Sequence, residues 1–145
     1  MISVFDHPWL GGLFDDPEAR TPWDASRQLS RMLAFEAAWS RALGACGRVD
    51  PEIAATAARA IEEWTPDMDL LRAGTAADGL PVPALVRALK SAAGQASGAV
   101  HAGATSQDVL DSVLAMTLRD VIDLMDTRLA EMSSALVALE ERFGE

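Results

Sequence analysis

Cys46 is the only cysteine in the chain. It excludes an internal disulfide and any cysteine-based structural zinc site, and it makes the cytoplasm the expected compartment. Basic side chains are also scarce: 12 Lys and Arg stand against 22 Asp and Glu, for a formal net charge of −10. A general nucleic-acid binder needs a basic face, so no nucleic-acid partner is expected. No apolar run reaches the length of a membrane span, so no membrane contact is expected either. The opening MISVFDHPWL has neither the basic start nor the apolar stretch of a secretory signal. Walker loops, dinucleotide fingerprints, HExxH and GxSxG are all missing, and the scattered acidic residues read as solvated helix faces, not as a metal site.

What is present is helical. Half of the 145 residues are apolar, enough for a real core. The first twenty-odd residues, broken by Pro8, Gly11, Gly12, Pro17 and Pro22, read as an irregular arm that packs through Phe5, Trp9, Leu10, Leu13 and Phe14. Asp24 caps a helix running to about Cys46, with Leu29, Met32, Leu33, Glu36, Trp39, Ala42 and Leu43 at helical spacing. Asp50-Pro51-Glu52 starts a second helix, with Ile53, Ala57, Ala60, Ile61 and Trp64 on its inner side, and Thr65-Pro66 stops it. A short helix over about 67–73 leads into a small-residue loop, GTAADG. Pro81 and Pro83 open another helix, which ends near Gly94, and QASGAVHAGATS is unsuited to regular structure. From Ser106 to about Phe143 apolar residues recur at steps of three and four: Leu110, Leu114, Leu118, Ile122, Met125, Leu129, Met132, Leu136, Leu139 and Phe143. That rod would be roughly 55 Å long and needs partner helices. Strand patterns are lacking, so the fold class is all-α.

The segment that carries chemistry is His101-Ala102-Gly103-Ala104-Thr105-Ser106-Gln107-Asp108. A glycine turn feeds two hydroxyls, an amide and a carboxylate into the first turn of the long helix, where unpaired N–H groups and the positive dipole end lie. With a nearby imidazole this makes a cradle for a carboxylate or phosphate. Thr105 three residues before Asp108 is equally an N-cap arrangement that needs no ligand. His7 and Cys46 read as packing or inert groups; Trp39 and Trp64 read as core, Trp9 and Trp23 as anchors of the arm.

VHAGATSQDVLDSVLAMTLRD resembles the signature region of the fumarase/aspartase superfamily, whose members often carry H-x-G-x-T-S-x-D here. Its Gly-Ala-Thr-Ser-Gln-Asp form is most similar to the 3-carboxy-cis,cis-muconate cycloisomerases of protocatechuate breakdown (the β-ketoadipate pathway). RQLSRMLAFEAAWSRALGACGRV resembles that family's first long helix, and PVPALVRALK the helix preceding the signature. Ser112 stands where relatives commonly have threonine, which keeps the hydroxyl. The resemblance implies a small N-terminal helical domain over 1–104 and the first long helix of a central bundle over 105–145. It implies a homotetramer in the full-length family, with each active site drawing on three subunits. The family's later histidine region and its mobile serine loop are not in this stretch, so the chain is expected to be an N-terminal fragment, inactive alone, with the acid and base beyond Glu145.

By the same resemblance Thr105, Ser106 and Gln107 bind a carboxylate of a small polycarboxylate substrate. His101 contacts that substrate and is the one catalytic candidate in the chain, while Gly103 and Asp108 brace the loop. The neutral imidazole is expected to donate one hydrogen bond. No cofactor is implied, because the substrate's own carboxylate adds to a conjugated alkene. The alternatives are a related lyase of the adenylosuccinate-lyase type, whose usual His-Asp pair is missing from GTAADGLPVP, and a non-catalytic helical oligomerisation module.

Overall fold

The computed structural model describes residues 3–144, among which there is no strand. The all-α reading holds. Helices α1 (Gly11–Phe14), α2 (Pro17–Arg20), α3 (Ala25–Ala45), α4 (Pro51–Glu62), α5 (Met68–Asp78), α6 (Val82–Ala93) and α7 (Ser106–Phe143) follow in order, with 3-10 turns at Val4–Asp6, Thr21–Trp23 and Gly94–Ala99.

The caps account for most boundaries. Asp50 accepts the amides of Glu52 and Ile53 at 2.8 and 3.3 Å, and Pro51, which has no N–H to satisfy, takes the first position of α4. Asp67 does the same for Asp69 and Leu70 at the start of α5. The N-terminal arm departs from the irregular reading. Asp16 accepts the amide of Ala19, Pro17 sits at the first position, and together they wind the short α2.

The sequence GTAADG is helix, not loop. α5 runs through Gly74 to Asp78 and ends only at Gly79, whose φ is +77°. Helix propensity disfavours Gly74, but packing overrides it: a Cβ there would lie 2.3 Å from the Cβ of Ala84 on α6. Thr75 adds a hydrogen bond from its hydroxyl to the Leu71 carbonyl at 2.7 Å. Similarly, 94–99 was expected to be irregular and instead winds a 3-10 turn that buries Ala96 and Ala99.

The chain forms two compact units. The larger, Leu29–Ala115, holds α4, α5, α6 and parts of α3 and α7. Within it α6 packs against α4, α5 and the 94–99 turn. Its core is Ile61, Val82, Leu85, Leu89, Val100, Val109 and Val113, all almost fully buried. Each such side chain contributes about 1.5–3 kcal/mol on burial. Trp39 and Trp64, expected in the core, are half-buried, and Ile53 is exposed. Cys46 is exposed as well.

The second unit gathers the described residues before Leu29 and after Ala115. Arg128 of α7 forms a fork onto both oxygens of Asp16 and also reaches Glu18 at 2.8 Å. The Gln28 amide donates to the Pro22 carbonyl and to the Thr117 hydroxyl, at 2.9 Å each. These polar contacts hold the arm; Phe5, Trp9, Leu10, Leu13, Phe14 and Trp23, expected as its anchors, are exposed.

α7 has the predicted bounds, Ser106–Phe143. Its buried residues are Val109, Val113 and Thr117, spaced four apart. The heptad-like stripe lies elsewhere on the helix: Leu114, Leu118, Ile122, Met125, Leu129, Met132, Leu136, Leu139 and Phe143 are all exposed.

Candidate functional site

The loop 99–105 is tied to one face of α3. Glu36, Trp39 and Ser40, one turn apart, project together. The Ser40 hydroxyl donates to the Ala99 carbonyl at 3.0 Å. The Trp39 indole N–H donates to the Ala102 carbonyl, also at 3.0 Å. The Glu36 Oε1 lies 2.6 Å from His101 Nδ1. Two backbone reversals let the loop follow this course: Gly103 at φ +75°, and His101 at φ +56°, the one non-glycine residue of positive φ among the described residues.

At the helix start Thr105 and Asp108 form a reciprocal capping box. The Thr105 amide and hydroxyl donate to Asp108 Oδ2 at 2.7 and 2.8 Å, and the Asp108 amide donates back to Thr105 Oγ1 at 3.3 Å. These bonds hold the Asp108 carboxyl below its ordinary value, the Thr105 hydroxyl contributing most and the charge of His101 adding to it. The box occupies two of the orphan amides of α7 and leaves those of Ser106 and Gln107, at the first and second helical positions, with no intrahelical acceptor. Gln107 donates through its side chain to Asp111 at 2.5 Å. Thr105 and Gln107 are exposed, and Ser106 is half-exposed.

The structure thus brings His101, Gly103, Thr105, Ser106, Gln107 and Asp108 into one short stretch at the head of α7. It commits the Thr105 hydroxyl hydrogen to Asp108. Beside the loop a cleft of about 430 Å³ is lined by Trp39, Leu43, Cys46, Arg48, Ala102 and Gly103. It is largely apolar, with the Arg48 guanidinium as its cationic group. Among the described residues no cluster of three or more His, Cys, Asp or Glu could hold a metal ion. No helix there is long and apolar enough to cross a membrane.

Glu36 and Arg48 were not singled out from the sequence as site residues. Arg48 carries no local signal. Glu36 did: it is the one acid on the otherwise apolar stripe of α3, and it is fully buried. Burial pushes its carboxyl above the ordinary value, against the hydrogen bond and charge of His101 and the charge of Lys90.

No family model matches the chain. It is 35% identical to the 3-carboxy-cis,cis-muconate cycloisomerase of Bradyrhizobium diazoefficiens over 143 residues, 95% of this chain and 32% of that protein. It is 29% identical to the adenylosuccinate lyase of Pyrococcus horikoshii over 130 residues, 89% of this chain and 29% of that one. The crystal structure of a fumarate lyase from Mesorhizobium sp. BNC1 superposes with a TM-score of 0.83 at 32% identity, covering 88% of this chain and 30% of that one. The chain therefore spans about a third of the length of the relatives it matches. The fold is all-α, and the proteins the chain resembles are lyases and an isomerase. The chain belongs to the fumarase/aspartase superfamily.

Proposed function

We propose that this chain supplies the carboxylate-binding loop of a cofactor-independent cycloisomerase that closes 3-carboxy-cis,cis-muconate to a carboxymuconolactone in protocatechuate degradation. The 35% identity to the Bradyrhizobium cycloisomerase, sustained over 95% of the chain, carries this reading. Residues 1–104 then serve as an N-terminal helical domain and residues 105–145 as the first helix of a bundle shared in a cytoplasmic homotetramer.

In the reaction a carboxylate oxygen of the substrate adds to a conjugated double bond. A C–O bond forms, the π pair moves toward the carbon α to another carboxylate, and that carbon takes up a proton. Negative charge builds on that carboxylate as this happens, and preorganised donors lower the barrier by meeting it. The amides of Ser106 and Gln107, the Ser106 hydroxyl and the positive end of α7 are such donors. Thr105 contributes its hydroxyl oxygen to the cap and a place on the rim of the site, and Gly103 removes bulk where the substrate approaches. Intramolecular attack supplies much of the remaining advantage through proximity. Apart from His101, this reading assigns no proton donor or acceptor to these 145 residues, so the chain on its own is expected to be inactive. A second reading, elimination by a lyase of the adenylosuccinate type, draws on the 29% identity to the Pyrococcus enzyme.

A chimera separates the two. This chain replaces the aligned 143 residues of the Bradyrhizobium cycloisomerase, and loss of the conjugated absorbance of 3-carboxymuconate is followed. Lactonisation is expected, with Ser106→Ala reducing it at least tenfold. A helical, cooperatively melting chimera that turns over adenylosuccinate and not muconate would refute the cycloisomerase assignment.

A further inference from the structure

We propose that Glu36 is the positioning residue for His101: the buried carboxylate accepts the Nδ1 hydrogen and so makes Nε2, bearing its lone pair, the ring nitrogen that meets the ligand. The inference deepens the carboxylate-loop reading above and rests on it only for the identity of that ligand. Three observations carry it. Glu36 Oε1 and His101 Nδ1 are 2.6 Å apart, the length of a strong, charge-assisted hydrogen bond. The Glu36 side chain is 0% exposed and that of His101 13%, so water does not compete for the bond. The second oxygen, Oε2, is buried and meets no donor from the described residues, which makes His101 the one hydrogen-bonding partner of this carboxylate among them.

The geometry also limits what the ring can do. α3 fixes Glu36, and the Ser40 and Trp39 bonds fix the loop on either side of His101. The imidazole is therefore held on one edge and cannot turn over without leaving the carboxylate unpaired. A neutral imidazole has one N–H, and here Glu36 takes it. The hydrogen bond expected from His101 to the substrate is instead given to α3. Toward the ligand the neutral ring presents an acceptor, able to take a hydrogen bond or a proton at Nε2. If it takes a proton, the Glu36 carboxylate already balances the charge. The other charged groups acting on the pair are Lys90, on α6, and Asp108, in the first turn of α7.

The test is spectroscopic and uses the chain as it stands. With 15N-labelled histidine, long-range 1H–15N correlation at alkaline pH assigns the tautomer of each ring. For His101 the Nδ1–H form is expected to dominate. In Glu36→Gln, whose side chain can accept or donate, the ratio of Nδ1–H to Nε2–H should fall at least tenfold, while His7 stays unchanged. An Nε2–H tautomer in the unmodified chain, or an unaltered ratio in Glu36→Gln, would overturn the proposal; the first of these decides it even if the variant does not fold. The ligand reading is scored separately by titrating tricarballylate against the backbone amides of Ser106 and Gln107. Silent amides with the expected tautomer would leave the positioning role standing and remove the carboxylate assignment.

Discussion

Gly74→Ala reverses the usual rule for helices. At an exposed helical site this change stabilises by about 1 kcal/mol, because glycine gives up more backbone freedom on folding. At Gly74 the new Cβ would stand 2.3 Å from the Cβ of Ala84. Carbon atoms in contact prefer about 3.5–4.0 Å, so α5 and α6 must separate by more than ~1 Å. Ala84 is 1% exposed and sits beside Leu85 and Val86 in a packed layer. Overpacking of this kind costs about 1–3 kcal/mol, and the severity of the contact puts it in the upper half of that range. The net expectation is a loss of about 1–2 kcal/mol, read by urea melts followed at a helical circular-dichroism band. Ala84→Gly alone should cost about 1.5–2 kcal/mol through propensity and a lost buried methyl. The double variant should return to within about 1 kcal/mol of the parent, a coupling of about 2–3 kcal/mol. Additive single effects, or a Gly74→Ala chain more stable than the parent, would refute the packing account of why α5 continues through its glycine.

Three further outcomes follow from α7. Thr105→Ala removes the two bonds that the hydroxyl makes in the capping box and leaves the residue's backbone amide on Asp108, so amide exchange in the first turn of α7 should speed up several-fold while Thr105→Ser stays near the parent. Because the Asp108 carboxyl is held below its ordinary 3.8, its contribution to stability is present above that value and lost as pH falls through the lowered one. The Thr105→Ala chain should therefore show a shallower acid limb, and identical limbs would count against the cap. The exposed stripe predicts self-association through α7. Light scattering should report oligomers that Leu129→Lys with Leu136→Lys converts to monomers; a monomeric parent chain at micromolar concentration would contradict this.

Much of the fold was legible because local chemistry decides it. Asp50, Asp67 and the Thr105–Asp108 pair set helix starts by caps readable from three or four residues. Apolar residues recurring every three or four positions from Leu110 to Phe143, with no proline or glycine between them, set the length of α7. What escaped the sequence depends on contacts between segments far apart. Gly74 is helical because Ala84 lies opposite it, ten residues on. The stripe on α7 was visible, but the residues that bury in this chain are the neighbouring Val109, Val113 and Thr117, a choice made by what packs on the helix. At the site, the order of polar residues from His101 to Asp108 was plain. Their division of labour was not, since it turns on Glu36, sixty-five residues earlier.

Stability alone does not account for that division. The spacing of Leu29, Met32 and Leu33 would accommodate an apolar residue at 36, and replacing both partners of a buried hydrogen bond by apolar side chains of similar shape can be neutral or stabilising. His101 adds a left-handed backbone, which disfavours a non-glycine residue by about 1–2 kcal/mol. Both features work against folding, and both fall where the glycine turn meets the head of α7. Such departures from local preference gather where a chain holds a group ready for chemistry and surrounding structure over-determines the geometry. Here that surrounding structure is identifiable: the Trp39 and Ser40 bonds clamp the loop on both sides of His101. An imidazole so held gains nothing for the core by its orientation, and the orientation acquires a purpose once an acid is seated at the N-terminus of the helix beside it.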